Sequence, residues 1–300
     1  MKKNQDPQTI AKQHMGIKAS TMITNSIIYV LLVLMAIIWL IPFVLIVLQS
    51  FRSENVTTRV GYILPKVWGL DAYKKLFTAE SLKEGFLRWY LNTLAIAVVV
   101  AIVQTIIVLC MSYTLSRFRF KMRTKLMRFM LILGMFPGML AMLILYRVLA
   151  DLGLTEQHAV PGLMLVYVAS SGMGYYVSKG FFDTIPKSLD EAARVDGATR
   201  AQVLYKIILP LAKPIVIYTV LTAFMAPWGD FVFAAYIAHG NPVGMNVAVG
   251  LQRWAVLKEF ESYYTQFCAG GVLVAIPVAV LFMCLQKYYV EGVTGGAVKG

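Results

Sequence analysis

The residues best placed for specific chemistry lie in one polar stretch that runs Ser188-Leu189-Asp190-Glu191-Ala192-Ala193-Arg194-Val195-Asp196-Gly197-Ala198-Thr199-Arg200-Ala201-Gln202. It continues through Val203, Leu204, Ile207, Ile208 and Leu209 to Pro210. The chemistry it supports is non-covalent. Ser188 with Glu191 has the spacing of a capping box, and Thr199 with Gln202 repeats it. Gly197, between the two, accepts a turn that other residues resist. The spacing predicts helix, tight turn, helix, with the second helix stopping at Pro210. Ala192, Ala193 and Gly197 offer a small-residue face that another chain can approach closely. Glu191 has two candidate roles: it caps its own helix with Ser188, or it meets a donor on a partner. A structured element between two apolar runs, where a plain loop would suffice, reads as a docking device.

Three further residues could meet a polar solute inside a membrane. Gln104 is an uncharged polar side chain in mid-run, suited to an interhelical hydrogen bond or to a hydroxyl-rich solute. Trp228 has a flat ring that stacks on a sugar or anchors a helix at the interface. Asp230, in Ala226-Pro227-Trp228-Gly229-Asp230, is an acid near a span end, where it is solvated, paired or functional. Asn92 and Thr93 open an apolar run and can satisfy helix-end donors, and Arg147 with Asp151 has the spacing of a local ion pair. Catalysis and metal binding find no support. His14, His158 and His239 are far apart, and Cys110, Cys268 and Cys284 form no Cys-x-x-Cys pair. No GxxxxGK[ST] loop is present to cradle nucleotide phosphates, and no serine–histidine–acid set appears.

The pattern Glu191-Ala192-Ala193, Gly197, Ile207 and Leu209-Pro210 resembles the EAA loop of ATP-binding-cassette (ABC) importer permeases, with every principal position matched in spacing. The flanking text, from Phe182-Asp183-Thr184-Ile185-Pro186 through Pro214, is similar to the carbohydrate branch of that family. The tail from Gln286 to Gly300 resembles that of maltose permeases, and the likeness runs over nearly the whole chain from about Tyr29. The resemblance implies the MetI-like permease fold of six transmembrane helices. It also implies a non-catalytic subunit of an ATP-driven importer of maltose, maltodextrin or a related oligosaccharide, forming half of the translocation pathway. In that family the loop's short helix sits in a groove of the ATPase. The coupling residues implied here are Ser188, Glu191, Ala192, Ala193, Asp196, Gly197, Ile207, Leu209 and Pro210. The tail residues Gly295, Gly296, Lys299 and Gly300 are implied to contact the ATPase dimer. The implied partners are a second, homologous permease subunit (MalF-like), an ABC ATPase dimer (MalK-like) and an extracellular or periplasmic sugar-binding protein. ATP and magnesium belong to the ATPase, and this subunit is expected to bind no cofactor of its own.

Composition agrees with a membrane protein. Hydrophobic residues make up 59% of the 300-residue chain and charged residues only 14%, too little polar surface to cover a soluble globule. Lipid is therefore the expected solvent for much of it. The net charge of +13 could suggest nucleic acid, but the basic residues flank apolar runs, as orienting Lys and Arg do in membrane proteins.

The apolar runs predict an all-α integral membrane protein with six spans: Ile27 to Leu48, Leu91 to Leu115, Leu126 to Leu149, Val160 to Val177, Leu211 to Ala235 and Phe267 to Tyr288. The first, ~33 Å long at the helical rise, begins too late and runs too long for a simple signal peptide. Arg117, Arg119, Lys121, Arg123, Lys125 and Arg128 follow the second span with no acid among them. Placing such residues in the hydrocarbon costs ~2.5–3.5 kcal/mol each near its centre, and this cluster sets the orientation. Both termini are then cytoplasmic, in a multi-pass protein of the cell membrane. The expected organisation is a cytoplasmic segment 1–26, a permease domain 27–290 and a cytoplasmic tail 291–300. The domain carries an extracellular loop 49–90 and a cytoplasmic coupling loop 178–210. Prolines at 42, 137, 214, 227 and 277 mark bends that a pathway could use. Two readings from other classes stand beside this one. A secondary transporter driven by an ion gradient calls for acids deep in the spans or internal repeats, and neither is found. A scaffold that docks an ATPase without forming a pore shares the loop but not the transport.

Overall fold

The computed structural model describes residues 7–54, 62–256 and 260–297. The described residues form no β-strand; a single isolated bridge joins Arg52 and Trp68. The helices are α1 (Pro7–Ser50), α2 (Asp71–Leu76), α3 (Ala79–Glu84), α4 (Phe86–Arg117), α5 (Arg123–Gly134), α6 (Gly138–Asp151), α7 (Ala159–Ala169), α8 (Gly172–Thr184), α9 (Ser188–Val195) and α10 (Arg200–Val203). A π-turn at Leu204–Ile208 leads to α11 (Leu209–Leu211), followed by α12 (Lys213–Gly229), α13 (Val232–Ala238), α14 (Val247–Val256) and α15 (Phe260–Ala297). In hydrocarbon each backbone N–H needs a partner within the chain, which helices supply.

The centre of the molecule is α4, 32 residues and ~48 Å long at 1.5 Å per residue. Ile96, Ala97 and Val100 on it are fully buried. Helices α7, α8, α12 and α14 pack around it, and α15 closes against α12, α14 and α1. Close approach depends on glycine at two places. A Cβ on Gly250 of α14 would lie 1.9 Å from Trp89 Cε3, and one on Gly270 of α15 would lie 2.8 Å from Phe86 Cε2. Asn92 and Thr93 do more than satisfy their own helix end. Asn92 Nδ2 donates to the carbonyls of Val243 and Met245 at 2.8 and 2.9 Å, and Thr93 Oγ1 accepts from the Val247 N–H at 2.8 Å. They tie the α13–α14 connection to α4 and cap α14.

Four helical stretches are long and apolar enough to cross a membrane: Thr24–Ser50, Phe86–Arg117, Glu156–Thr184 and Tyr263–Lys287. A fifth counts if the bent pair Arg200–Leu211 and Lys213–Gly229 is one span. The expected six are therefore not reproduced as six continuous helices. The third, Leu126 to Leu149, is divided into α5 and α6 at Met135–Pro137; Pro137 is extended (ψ 117°), and the 14-residue α6 rises only ~21 Å. The fifth, Leu211 to Ala235, bends by 87° at its start and ends as a helix at Gly229. In its most apolar window α1 has no buried residue, although α15 touches its C-terminal part, and its helix begins at Pro7, without a break at residue 26.

After α1 the chain is pinned by polar contacts. Arg52, almost fully buried, donates to the carbonyls of Tyr62 and Ile63, while the Glu54 carboxylate accepts from the N–H groups of Lys66 and Val67. Desolvation acts to raise the Glu54 pKa, but these two N–H donors, together with its own N–H and the Arg52 charge, hold the carboxyl below its usual range.

Candidate docking element and membrane cavity

The polar stretch folds as helix, turn, helix against the Arg117 end of α4. Its first helix starts differently from the sequence expectation. Ser188 makes no capping hydrogen bond, and the Ser188–Glu191 box is absent. Ile185 is extended (ψ 126°), as a residue before proline tends to be. The first turn begins on Pro186, whose carbonyl accepts from the Leu189 N–H at 3.3 Å, and the Glu191 N–H donates to the Lys187 carbonyl at 3.1 Å. Proline at a helix start loses no hydrogen bond, because that N–H would be an orphan anyway. Glu191 is thereby free of any capping duty and is exposed.

The turn at Gly197 is a Schellman motif. The Ala198 N–H donates to the Ala193 carbonyl at 2.9 Å and the Gly197 N–H to the Arg194 carbonyl at 3.1 Å, with Gly197 at φ +85°. A Cβ on Gly197 would meet nothing within 4 Å, so within this chain the glycine is required by its dihedral angle and not by crowding. The Thr199–Gln202 capping box is formed in both directions, at 3.3 and 2.7 Å. The expected small-residue face divides. Ala193 packs with Ala198 on a buried cluster of Phe182, Ile185, Val203 and Ile208, whereas Ala192, Asp196 and Gly197 are exposed beside Val195, which is 87% exposed. Ile207 and Leu209 are half-buried. The second helix does not stop at Pro210. It passes through the π-turn to Leu211, and the break falls at Ala212, where Pro214 has no N–H for the Pro210 carbonyl.

Residues not singled out from sequence clamp this element to α4. Arg117 Nε lies 3.1 Å from Asp190 Oδ2, and Arg117 Nη2 donates to the Ile185 carbonyl at 3.0 Å. Ser116 Oγ donates to Asp183 Oδ1 at 2.6 Å, and Lys179 pairs with the same carboxylate. Tyr113 donates to the Arg200 carbonyl, and the Arg200 guanidinium rests 4.4 Å from the centre of the Phe118 ring. Burial pushes the Asp190 carboxyl above the usual carboxylate range; the Arg117 charge opposes this and the Glu191 charge adds to it. Nothing in the sequence links residue 117 to residue 190, so spacing alone could not have found the pair. Arg117 was visible only as one of a basic cluster.

A second feature is a cavity of about 290 Å³ between α4, the α7–α8 junction and α12. Gln104, Tyr167, Ser170, Tyr218 and Thr222 supply its polar lining. Gln104 Nε2 donates to Ser171 Oγ at 3.1 Å, so this side chain both joins two helices and faces the cavity. Asp230 lies at the α12–α13 break. It accepts from the Tyr167 hydroxyl and, at 3.1 Å, from the Phe233 N–H, while Asn246 Nδ2 donates to the Asp230 carbonyl at 2.7 Å. Asp230 is thus paired within the chain. Trp228 does not offer a free face. It is buried, with Tyr90 edge-on at 5.4 Å and Phe224 at 6.0 Å, and it is not among the cavity walls. The aromatic side chains facing the cavity are Tyr167 and Tyr218. Arg147 and Asp151 form the expected ion pair at 3.3 Å, exposed and of little energetic weight. Gly295 and Gly296 lie in the last turns of α15, and Lys299 and Gly300 lie outside the described residues.

Comparison with known proteins gives a concordant set of relatives. Residues 109–295 match the family described as binding-protein-dependent transport system inner membrane component. The chain is 36% identical over 287 residues to the maltodextrin transport system permease protein MdxG of Bacillus subtilis (strain 168), covering 95% of this chain and 100% of that one. It is also 36% identical over 274 residues to the galactooligosaccharides transport system permease protein GanQ of the same organism, covering 91% and 94%. Among solved structures, a chain of a bacterial ABC transporter that imports the acidic polysaccharide alginate superposes with a TM-score of 0.75 at 25% identity, covering 90% of this chain and 98% of that one.

Proposed function

Because the chain belongs to the family of binding-protein-dependent transport system inner membrane components, we propose that it is the permease subunit of an ABC importer for maltodextrin or a closely related oligosaccharide. It is a multi-pass membrane subunit that carries transport and not hydrolysis. The observation that carries the mechanism is the clamp between Arg117 of α4 and the Ile185–Asp190 segment, because it makes the docking element continuous with the helix at the centre of the fold. In this reading the Arg117 end is cytoplasmic, and the exposed side of α9, with Glu191, Ala192, Asp196 and Gly197, sits in a groove of the ATPase. ATP binding closes an ATPase pair, α9 moves with it, and the motion passes through α4 and the bent α11–α12 joint to the cavity. A homologous second permease completes the pathway, and an external binding protein delivers the sugar. The hydroxyl and amide groups of Gln104, Ser170, Tyr218 and Thr222 suit a solute rich in hydroxyls. The glycine-rich end of the chain, through Gly295, Gly296, Lys299 and Gly300, is assigned to the ATPase interface on sequence resemblance alone.

Reconstitution into vesicles with the three partner components tests this reading. Uptake of labelled maltodextrin should require both ATP and binding protein. Flux driven by a proton gradient without ATP would reject it in favour of a secondary transporter, and ATPase retention without any flux would leave a scaffold.

A further inference from the structure

Between the Arg117 end of α4 and the start of the docking element lies a cleft of about 530 Å³. Its walls are strongly cationic: Arg117, Arg119, Lys187, Arg194 and Arg200 line it, against the carboxylates of Asp190 and Glu191. Arg119, Lys187, Arg194 and Arg200 form no salt bridge among the described residues. The one cation that is paired, Arg117, has a side chain only 5% exposed, and its Nη1 is buried without a hydrogen-bond partner, so its charge is incompletely compensated within the chain. The Arg200 guanidinium lies 4.4 Å from the centre of the Phe118 ring, which restrains it at the cleft wall. Cations held this close together repel one another, and of the α9 residues assigned to the ATPase groove only Glu191 reaches the cleft, whereas Ala192, Asp196 and Gly197 do not line it. The cleft is built for an anion.

We propose that this cleft binds the phosphate group of an anionic phospholipid. Its position selects that source. The apolar run of α4 ends at Leu115, two residues before Arg117, and the connection to α5 exposes Phe120 and Met122 (40% and 59%) beside Arg119. Beyond Arg123, Lys125 and Arg128, α5 re-enters apolar sequence with Phe129, Ile132 and Leu133 exposed. Followed in the chain by the outward-facing apolar residues of the α4–α5 connection and α5, the cationic pocket is assigned to headgroup depth, where basic pockets on the cytoplasmic side recognise acidic lipid. Arginine suits the task because its fork bonds two phosphate oxygens at once. The lipid phosphate would bridge α4 to the docking element, so bilayer composition would bear on the joint between them. This inference rests on the proposed orientation, with the Arg117 end facing the cytoplasm.

The test uses the complete transporter, purified with native lipid and carrying Arg119→Gln, Arg119→Glu or Arg119→Lys. Arg119 is exposed and lies outside the docking element. Native mass spectrometry reads retained phosphatidylglycerol after exchange into phosphatidylcholine. Each basic residue near an anionic surface contributes about fivefold in affinity, so R119Q should retain about fivefold less and R119E roughly thirtyfold less, with R119K near the unsubstituted protein. Equal retention by all four proteins overturns the proposal. Displacement of the lipid by millimolar inorganic phosphate, with no selectivity for phosphatidylglycerol, overturns the lipid source. Loss of the ATPase subunit from R119E at unchanged lipid retention assigns the cleft to the ATPase instead. Lipid retention is scored independently of sugar uptake, so failure of the transport reading and failure of this one are distinguishable.

Discussion

Substitution of Gly197 separates two explanations of why a glycine stands there. The Schellman turn places it at φ +85°, and a Cβ would meet nothing within 4 Å in this chain. An L-residue in that region costs about 1–2 kcal/mol. Alanine recovers about 0.4–1 kcal/mol of this by restricting the unfolded chain. The net cost, about 1 kcal/mol, corresponds to a roughly fivefold fall in the population of the closed turn, given that 1.4 kcal/mol is tenfold. Amide hydrogen exchange over Ala193–Ala198 in the assembled transporter reads this directly, as about fivefold faster exchange in Gly197→Ala. Gly197→Asn should stay near the parent, because asparagine tolerates the left-handed region. Sugar uptake should follow the same order. If alanine exchanges as slowly as glycine, the conformational argument is wrong. If asparagine is as damaging as alanine to uptake while exchange stays slow, the glycine serves close approach by the ATPase.

Other expectations concern the clamp, the Tyr167–Asp230 hydrogen bond at the α12–α13 break, and the core. Asp190→Asn leaves Arg117 mostly buried beside a neutral partner, and removing one member of a buried pair costs about 3–5 kcal/mol; a lower melting temperature in detergent and loss of coupled uptake should follow, while a fully stable variant would show that the pair is incidental. Tyr167→Phe removes the hydroxyl that donates to Asp230, and a hydrogen bond to a charged group contributes about 1.5–3 kcal/mol. If this bond holds the resting state of the transporter, ATP hydrolysis without binding protein should rise severalfold in the reconstituted complex, and an unchanged basal rate counts against that role. Gly250→Ala drives a methyl group to 1.9 Å from Trp89 Cε3, whose indole is fixed by its hydrogen bond to the Pro242 carbonyl; overpacking of this kind costs about 1–3 kcal/mol, visible as a lower unfolding temperature. A pH titration of the segment after α1 should show Glu54 keeping its two N–H partners from neutral pH down to below the ordinary carboxylate range. The carboxyl is depressed in the folded state, so its stabilisation is present above the unfolded pKa and is lost as pH falls through the folded one.

What could be read in the sequence follows the range of the interactions involved. The Thr199–Gln202 box and the Gly197 turn depend on residues a few positions apart, and both appear as spacing suggested. The Ser188–Glu191 box has the same spacing and is absent, because Pro186 starts the helix two residues earlier and moves Ser188 inside the first turn. Apolar runs gave the spans where helices are unbroken. They overran at Pro137 and at Gly229, where hydropathy continues but the backbone ladder does not. The contacts that matter most to the site join residues far apart in the chain: Arg117 to Asp190, Gln104 to Ser171, Tyr167 to Asp230. No local pattern records them. Trp228 looked available to a sugar because a sequence does not show which rings already occupy its faces, and Tyr218 was passed over because an isolated tyrosine in an apolar run carries no signal of its own.

The 87° bend at Ala212 has a mechanical consequence. Were the second helix of the docking element collinear with α12, a sideways pull at its far end would only tilt a rod. Set at nearly a right angle, it would work, in the proposed reading, as the handle of a crank. A displacement of a few ångströms at the handle becomes torque about the long axis of α12, and the side chains of Tyr218 and Thr222 sweep around the cavity wall without the shaft shifting in depth. Straightening that elbow would lift Val203 and Ile208 from Leu109 and Tyr113 of α4, and in the proposed reading it would disconnect the ATPase from the cavity.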